Sequence, residues 1–232
     1  MKQSRLMSVL FLLALRSVWG DGIVVDKVYH PYVLANEREF EWRLMSMKDT
    51  DFNGLAQSFG YGHSIAENVM LEGYIIAERG ADNDFAVQSY ELELRWMMTE
   101  QGQYWLDFGS MFELEKSREL DNYEATFGFI AEKEFTKTSL TLNLFAVREW
   151  GDTLESEWES EFRMKYRYRY MPEVQPAIEL YAGEDYLGIG PAFMGIIRFD
   201  GQEQLKWEAG FITEVAHSNN NHTLRLALEY EF

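Results

Sequence analysis

The stretch "AHSNNNH", residues 216–222, gathers His217, Ser218 and His222 within seven positions. A histidine beside a serine can act as general base to a hydroxyl nucleophile, the first half of an acyl-transfer site. The chain holds four histidines, His30, His63, His217 and His222. "GYGHS" sets His63 next to Ser64, but adjacent residues on a strand point to opposite faces, so this pair meets only with difficulty. In a loop, His217 and Ser218 can meet, and they are the candidate catalytic pair of an alternative reading as a lipid hydrolase. The simpler reading is a solvated polar loop. No carboxylate or thiolate completes a metal set beside His217 and His222, so neither a metal nor a cofactor is expected.

The charged residues form a second pattern. In "RMKYRYRY", Arg163, Lys165, Arg167 and Arg169 take every second position, with Met164, Tyr166, Tyr168 and Tyr170 between them. Glu72, Glu91, Glu93, Asp107 and Glu113 sit in stretches of the same alternating kind. Two carboxylates two residues apart share one face of a strand, as a glycosidase requires. The spacing recurs here as plain alternation, so it does not single out a glycosidase. Rows of cations and anions facing one space do one of two things. They set up a field that orients a polar or zwitterionic solute, or they pair and fill the space.

Positioning such rows takes strands. From residue 36 onward, stretches of roughly ten residues alternate apolar and polar side chains and break at polar turns. "EFEWRLM" separates Phe40, Trp42 and Leu44 from Glu39, Glu41 and Arg43, and "SYELELRWM" separates Tyr90, Leu92, Leu94 and Trp96 from Glu91, Glu93 and Arg95. Twelve strands are predicted, at 36–47, 56–65, 69–79, 85–98, 103–116, 121–134, 137–149, 156–170, 174–183, 188–199, 202–214 and 221–232. The connections after odd-numbered strands read as mostly longer than those after even-numbered ones, which predicts an up-and-down meander with a long-loop end and a short-turn end. No helical segment intervenes, so a parallel βαβ fold is excluded.

The bulk composition narrows the class. The chain has 232 residues, 16 % aromatic, with 39 acidic against 21 basic residues and a formal charge of -18. That balance opposes binding of nucleic acid through a basic surface. There is no Cys, hence no disulfide framework, Cys-zinc site or Cys nucleophile. Residues 1–20 read as a cleaved signal peptide: Lys2 and Arg5, then "LMSVLFLLAL", then Val18 and Gly20 before the cut. Residues 21–35, "DGIVVDKVYHPYVLA", precede the first strand. Pro31 argues against a central strand there. We expect a periplasmic leader, with a lumen plug or a contact for a periplasmic partner as the alternatives.

Periodicity does not say which face is buried. A soluble sandwich or barrel turns the aromatic face inward, whereas a transmembrane barrel turns it to lipid and lines its lumen with Glu and Arg. Residues 36–232 amount to about 16 per strand and turn, which fits strands of about 9–11 residues crossing the hydrocarbon. Twelve strands also make a barrel wider than the eight whose own side chains fill the interior. Trp42, Trp96, Tyr104, Tyr123, Trp150, Tyr170 and Trp207 are candidates for interfacial girdles. These features favour an antiparallel transmembrane β-barrel, with Arg163, Lys165, Arg167, Arg169, Glu72, Glu91, Glu93, Asp107 and Glu113 lining the lumen. The small residues Ser58, Gly60, Gly62 and Ser64 of the second strand then leave room for the long cations of the eighth, across the ring.

The final residues, "RLALEYEF", resemble the C-terminal signal by which the bacterial outer-membrane assembly machinery recognises its barrels. The match rests on Arg225, Ala227, Tyr230 and Phe232, with Ala227 standing where Gly is usual. Together with the signal peptide, the absence of Cys and the twelve strands, it makes the chain resemble Gram-negative outer-membrane β-barrels. "VYHPYV", "EREFEWR" and "LKWEAG" resemble segments of an uncharacterised proteobacterial family of this kind. The resemblance implies outer-membrane lipids and the assembly machinery as partners and a porin-like channel for small polar solutes. A closed structural barrel, a lipid-modifying hydrolase and a soluble exported binding protein are the alternatives. No oligomeric state follows.

Overall fold

In the computed structural model, residues 25–48, 53–79, 84–154, 156–184, 186–216 and 221–232 are described. The twelve strands are β1 Arg38–Lys48, β2 Asn53–Ala66, β3 Val69–Arg79, β4 Phe85–Met97, β5 Asp107–Ser117, β6 Asn122–Glu134, β7 Thr138–Gly151, β8 Glu157–Tyr168, β9 Gln175–Ala182, β10 Leu187–Arg198, β11 Gln204–Glu214 and β12 His222–Glu231. Each strand pairs antiparallel with its sequence neighbours, and β1 pairs with β12 to close the barrel. The closing register runs from Glu39 opposite Glu231 to Lys48 opposite His222. Phe232 N donates to Arg38 O at 2.9 Å just beyond it. Closure leaves no edge strand with unmet backbone groups, the condition that hydrocarbon imposes.

Alternation now acquires a direction. Phe59, Ile75, Leu92, Phe112, Phe127, Leu144, Ile178, Phe193, Phe211 and Leu228 are exposed, whereas Glu39, Glu72, Glu93, Glu132 and Glu179 are buried. The apolar face is therefore the outer one, which rules out the soluble arrangement. Rings meet along the seam: Phe40 stacks on Phe232 with centroids 5.5 Å apart, and Tyr230 stacks on Phe232 at 5.8 Å. Tyr123 and Trp150 stack at 5.7 Å at the end of the barrel opposite the start of β1, as a girdle requires. Trp42 departs from the girdle expectation. It lies four residues into β1 and donates its indole N–H to Gln57 Oε1 at 3.2 Å.

Two sequence expectations change. The nine residues 98–106, between β4 and β5, form the longest connection and lie at the end expected to carry short turns. Loop length therefore does not distinguish the two ends. Second, the described part of the expected periplasmic leader, 25–35, runs inside the barrel, in the manner of the lumen-plug alternative. The chain leaves the lumen at the rim where β1 starts and β12 ends, and reverses into β1. Leu34 N donates to Glu37 Oε2 at 3.0 Å, Glu37 N donates to Leu34 O at 3.3 Å, and Asn36 takes φ 63°. Asn tolerates that left-handed conformation better than other side chains except Gly.

The core is consequently inside the lumen and is partly apolar. Tyr29 packs with Met111, Ile130, Phe145 and Val147, while Val25 and Val28 pack with Tyr181 and Ile212. Apolar residues that would be a liability in a wet pore here cover the apolar side of an inserted segment.

Candidate functional site

The inserted segment is held by contacts from across the ring. Lys27 Nζ lies 3.0 Å from Glu41 Oε2 and 2.9 Å from Glu229 Oε2, joining β1 and β12 through one ammonium. Asp26 receives Arg43 Nη1 at 2.8 Å, and Arg163 Nη1 stands 3.6 Å away. Tyr181 Oη donates to Asp26 O at 2.7 Å, and Arg163 Nη1 donates to Lys27 O at 3.0 Å. Tyr29 Oη donates to Glu93 Oε2 at 2.9 Å, and Tyr32 Oη donates to Asp107 Oδ2 at 2.9 Å. Ser64 Oγ donates to Leu34 O at 2.5 Å at the rim. A segment without regular secondary structure thus has backbone groups of Asp26, Lys27, Tyr29 and Leu34 met by side chains of the wall, as irregular backbone at membrane depth requires.

Charge governs the titration of this segment. Burial alone would raise Asp26, but Arg43, Arg163 and Arg225 outweigh it and hold the carboxyl below its ordinary value. Burial alone would lower Lys27, but Glu229 and Glu41 hold the ammonium well above its usual range. His30 is pushed well below the ordinary imidazole value by burial and then by Lys206 and Arg95. Its Nδ1 is buried without a hydrogen-bond partner, which fits a neutral ring.

The cation row of β8 spreads over several partners. Arg163 pairs with Glu161 at 2.7 Å and with the inserted segment. Lys165 pairs with Glu208 at 3.0 Å and Glu179 at 3.6 Å. Arg167 donates to Ser139 Oγ at 3.1 Å and lies 3.5 Å from Glu132, while Arg169 pairs with Glu134 just past the strand end. None of the four fills the space beside Ser58, Gly60, Gly62 and Ser64, contrary to expectation. A Cβ on Gly60 would collide with the ring of Tyr74, and one on Gly62 would crowd Met70, Glu72 and Glu39. Residues of β1 and β3 therefore occupy that room. Tyr74 uses it to set its hydroxyl between two carboxylates, 2.8 Å from Glu41 Oε2 and 2.7 Å from Glu72 Oε1, with one proton for the pair.

On the opposite wall, Arg95 lies 2.5 Å from Glu72, 3.1 Å from Glu39 and 3.3 Å from Glu93. Glu91, Glu93 and Glu113 converge on adjacent strands β4 and β5. Asp107 accepts Gly102 N at 3.0 Å and so ties the long 98–106 connection to the rim as well as to Tyr32. Of the terminal residues, Arg225 and Ala227 point inward and are buried, and Phe232 is exposed. Arg225 pairs with Glu179 and, at 2.8 Å, with Glu208.

Toward the end opposite the start of β1 and the close of β12 the lumen opens. A cavity of about 340 Å³ is lined by Glu78, Gln88, Ser89, Glu115, Ser117 and Glu119. A smaller one of about 130 Å³ shares Glu115 and adds Glu124 and Glu149. Among the described residues no Lys or Arg lines either cavity. The inserted segment and the cations thus occupy one half of the lumen, and an acidic vestibule the other.

The catalytic alternative gains no geometry. His217 and Ser218 lie outside the described residues. Ser64 is buried, its hydroxyl donating to Leu34 O, while His63 Nδ1 sits 3.2 Å from Glu37 O. The sequence offered a lumen plug only as one alternative for residues 21–35. Its contacts come from residues near and far along the chain, from Glu41 and Arg43 to Asn143 and Tyr181.

No protein-family model matches the sequence, and no curated protein matches it. Solved structures do. An outer membrane channel from Pseudomonas putida F1 is similar at TM-score 0.59 and 12 % identity, covering 90 % of this chain and 100 % of that one. The KdgM porin, solved in complex with disordered oligogalacturonate, is similar at TM-score 0.56 and 11 % identity over 84 % of this chain and 99 % of its own. The outer membrane protein Omp33 of Acinetobacter baumannii is similar at 0.52 and 10 %, over 86 % and 99 %. What this chain shares with all three is a fold, the closed antiparallel β-barrel of Gram-negative outer-membrane proteins.

Proposed function

We propose that this protein is an outer-membrane channel for small polar solutes whose passage is occupied by its own N-terminal segment. One observation carries the reading: the twelve-stranded wall does not fill its own lumen, and the remaining bore takes a whole polypeptide segment, residues 25–35, on ion pairs and hydrogen bonds. Contacts of that kind are exchangeable for water, so withdrawal of the segment would leave a passage lined mostly by polar groups, with apolar patches at Met111, Ile130, Phe145 and Ile212. The similarity to barrels described as channels and porins supports the same reading.

The charge of the lumen selects among solutes. The vestibule is lined by carboxylates, so a polyanion such as the oligogalacturonate bound to KdgM would be repelled at this mouth. Neutral or cationic polar solutes suit it. The apolar outer face, the leader at residues 1–20 and the terminal Arg225, Ala227, Tyr230 and Phe232 support export and assembly into the outer membrane.

Planar-bilayer recording tests the proposal. The chain with residues 21–35 intact should be mostly closed, and the chain lacking them should give stepwise conductance with cations favoured over anions. A deleted chain that folds, judged by a heat-modifiable band, yet conducts at no salt concentration would defeat the channel reading.

A further inference from the structure

We infer that Glu91, Glu93 and Glu113 form a binding site for a hard divalent cation on the lumen wall, beside the inserted segment. The three carboxylates stand on neighbouring strands, Glu93 directly across from Glu113, and each presents an oxygen within 4.8 Å of the other two. Glu93 is fully buried, and Glu91 is only 9 % exposed. Three like charges in so small and sheltered a volume repel strongly unless a counter-charge joins them.

The protein does not provide that counter-charge in full. The nearest cations are Arg43, 3.8 Å from Glu91, and Arg95, 3.3 Å from Glu93. Both are bound more closely elsewhere: Arg43 to Asp26 at 2.8 Å, and Arg95 to Glu72 at 2.5 Å and Glu39 at 3.1 Å. Glu91 Oε1 and Glu93 Oε1, the oxygens that face those two guanidinium groups, are buried and accept no hydrogen bond. Buried carboxylate oxygens are ordinarily satisfied, and two on convergent side chains that are not mark a place for a ligand. The lumen's other two carboxylate clusters each hold a closely bound cation. Glu39, Glu41 and Glu72 are knitted together by Arg95, Lys27 and the Tyr74 hydroxyl. The cluster that includes Glu229 and Glu231 is served by Lys206.

An all-oxygen, all-carboxylate donor set selects Ca²⁺ or Mg²⁺ over softer metals, and a wall of strands with open vestibule on one side suits the larger, geometrically tolerant Ca²⁺. Tyr29 Oη already donates to Glu93 Oε2. A cation on the triad would therefore share Glu93 with the inserted segment and couple ion binding to its seating. The inference concerns the wall and stands whether or not the lumen conducts.

Titration of the full-length folded barrel in detergent, stripped of metal by chelator, tests it with Ca²⁺ as the probe. We expect saturable binding of one Ca²⁺ per chain with Kd of order 10⁻⁴–10⁻³ M, the range of extracellular oxygen-ligand sites. Glu113→Gln should weaken binding at least about tenfold, whereas Glu124→Gln in the vestibule should leave it unchanged. Should Glu113→Gln fail to fold, Ca²⁺-dependent protection of the wild-type barrel against thermal unfolding is the second readout. A raised midpoint, absent when Ca²⁺ is replaced by K⁺ at equal ionic strength, supports the site. Equal binding by wild type and the folded Glu113→Gln variant, or no saturable binding and no thermal shift in wild type, overturns it.

Discussion

Asn143 of β7 and Tyr29 of the inserted segment hold each other by a reciprocal pair of hydrogen bonds. Tyr29 N donates to Asn143 Oδ1 and Asn143 Nδ2 donates to Tyr29 O, both at 2.8 Å, and the Asn side chain is fully buried. One carboxamide thus imitates a neighbouring strand and satisfies both backbone groups of a residue that has no sheet partner. Asn143→Leu keeps the volume and removes both bonds. Each backbone group left unmet costs about 1–3 kcal/mol, enough to shift seating of the segment by tenfold or more. The barrel should keep its heat-modifiable migration while open probability in a planar bilayer rises.

Asp26 makes seating pH-dependent. Its carboxyl is held below its ordinary value of 3.8, because Arg43, Arg163 and Arg225 outweigh the effect of burial. A group depressed in the seated state stabilises that state fully above the free value and loses the contribution as pH falls through the lower seated value. Acidification below about 3.8 should therefore release the segment and open the channel. Asp26→Asn should raise the current at neutral pH and remove that part of the acid response. An acid response identical in variant and wild type would assign the opening to the wall carboxylates instead.

Gly109 faces Pro31 at the point where the segment passes β5. A Cβ there would come within 3.0 Å of Pro31 Cα, backbone that yields only by moving the segment. Gly109→Val should unseat residues around Pro31 without harming strand pairing. Its measured signs would be faster protease cleavage near Pro31 and raised conductance, at unchanged thermal stability of the barrel.

Leu144 is the counterpart outside the barrel. It lies in mid-β7 and is 55 % exposed on the outer face, one residue from the buried Asn143. Leu144→Arg should cost about 2–4 kcal/mol if that face meets the middle of a bilayer, read as reduced refolding yield into vesicles. In water the same change would be nearly neutral, so no loss would contradict the lipid-facing assignment.

Most of the wall was legible because strand periodicity is local. Glu91 and Glu93 alternate with Leu92 and Leu94 whatever surrounds them, and the predicted spans differ from the observed ones by at most a few residues. The second strand was readable despite Gly60 and Gly62, since Phe59 and Tyr61 kept the period. The alternation of the β8 cations with Met164, Tyr166 and Tyr168 is local, but their partners are not. Ion pairing across a ring depends on the stagger between strands, which no local pattern encodes. The room beside Gly60 was likewise assigned to β8, when its near neighbour Tyr74 takes it.

The sequence by itself determined the strands, their two unlike faces and, through the number and length of those strands, a barrel rather than a layered fold. These follow from the two-residue period of extended chain and from apolar transfer. Only the tertiary structure decided that residues 25–35 lie in the lumen, that Asn143 and Lys27 hold them there, and that Glu91, Glu93 and Glu113 converge short of counter-charge. Those facts depend on which residues closure brings face to face across the bore, and closure is a property of the whole ring.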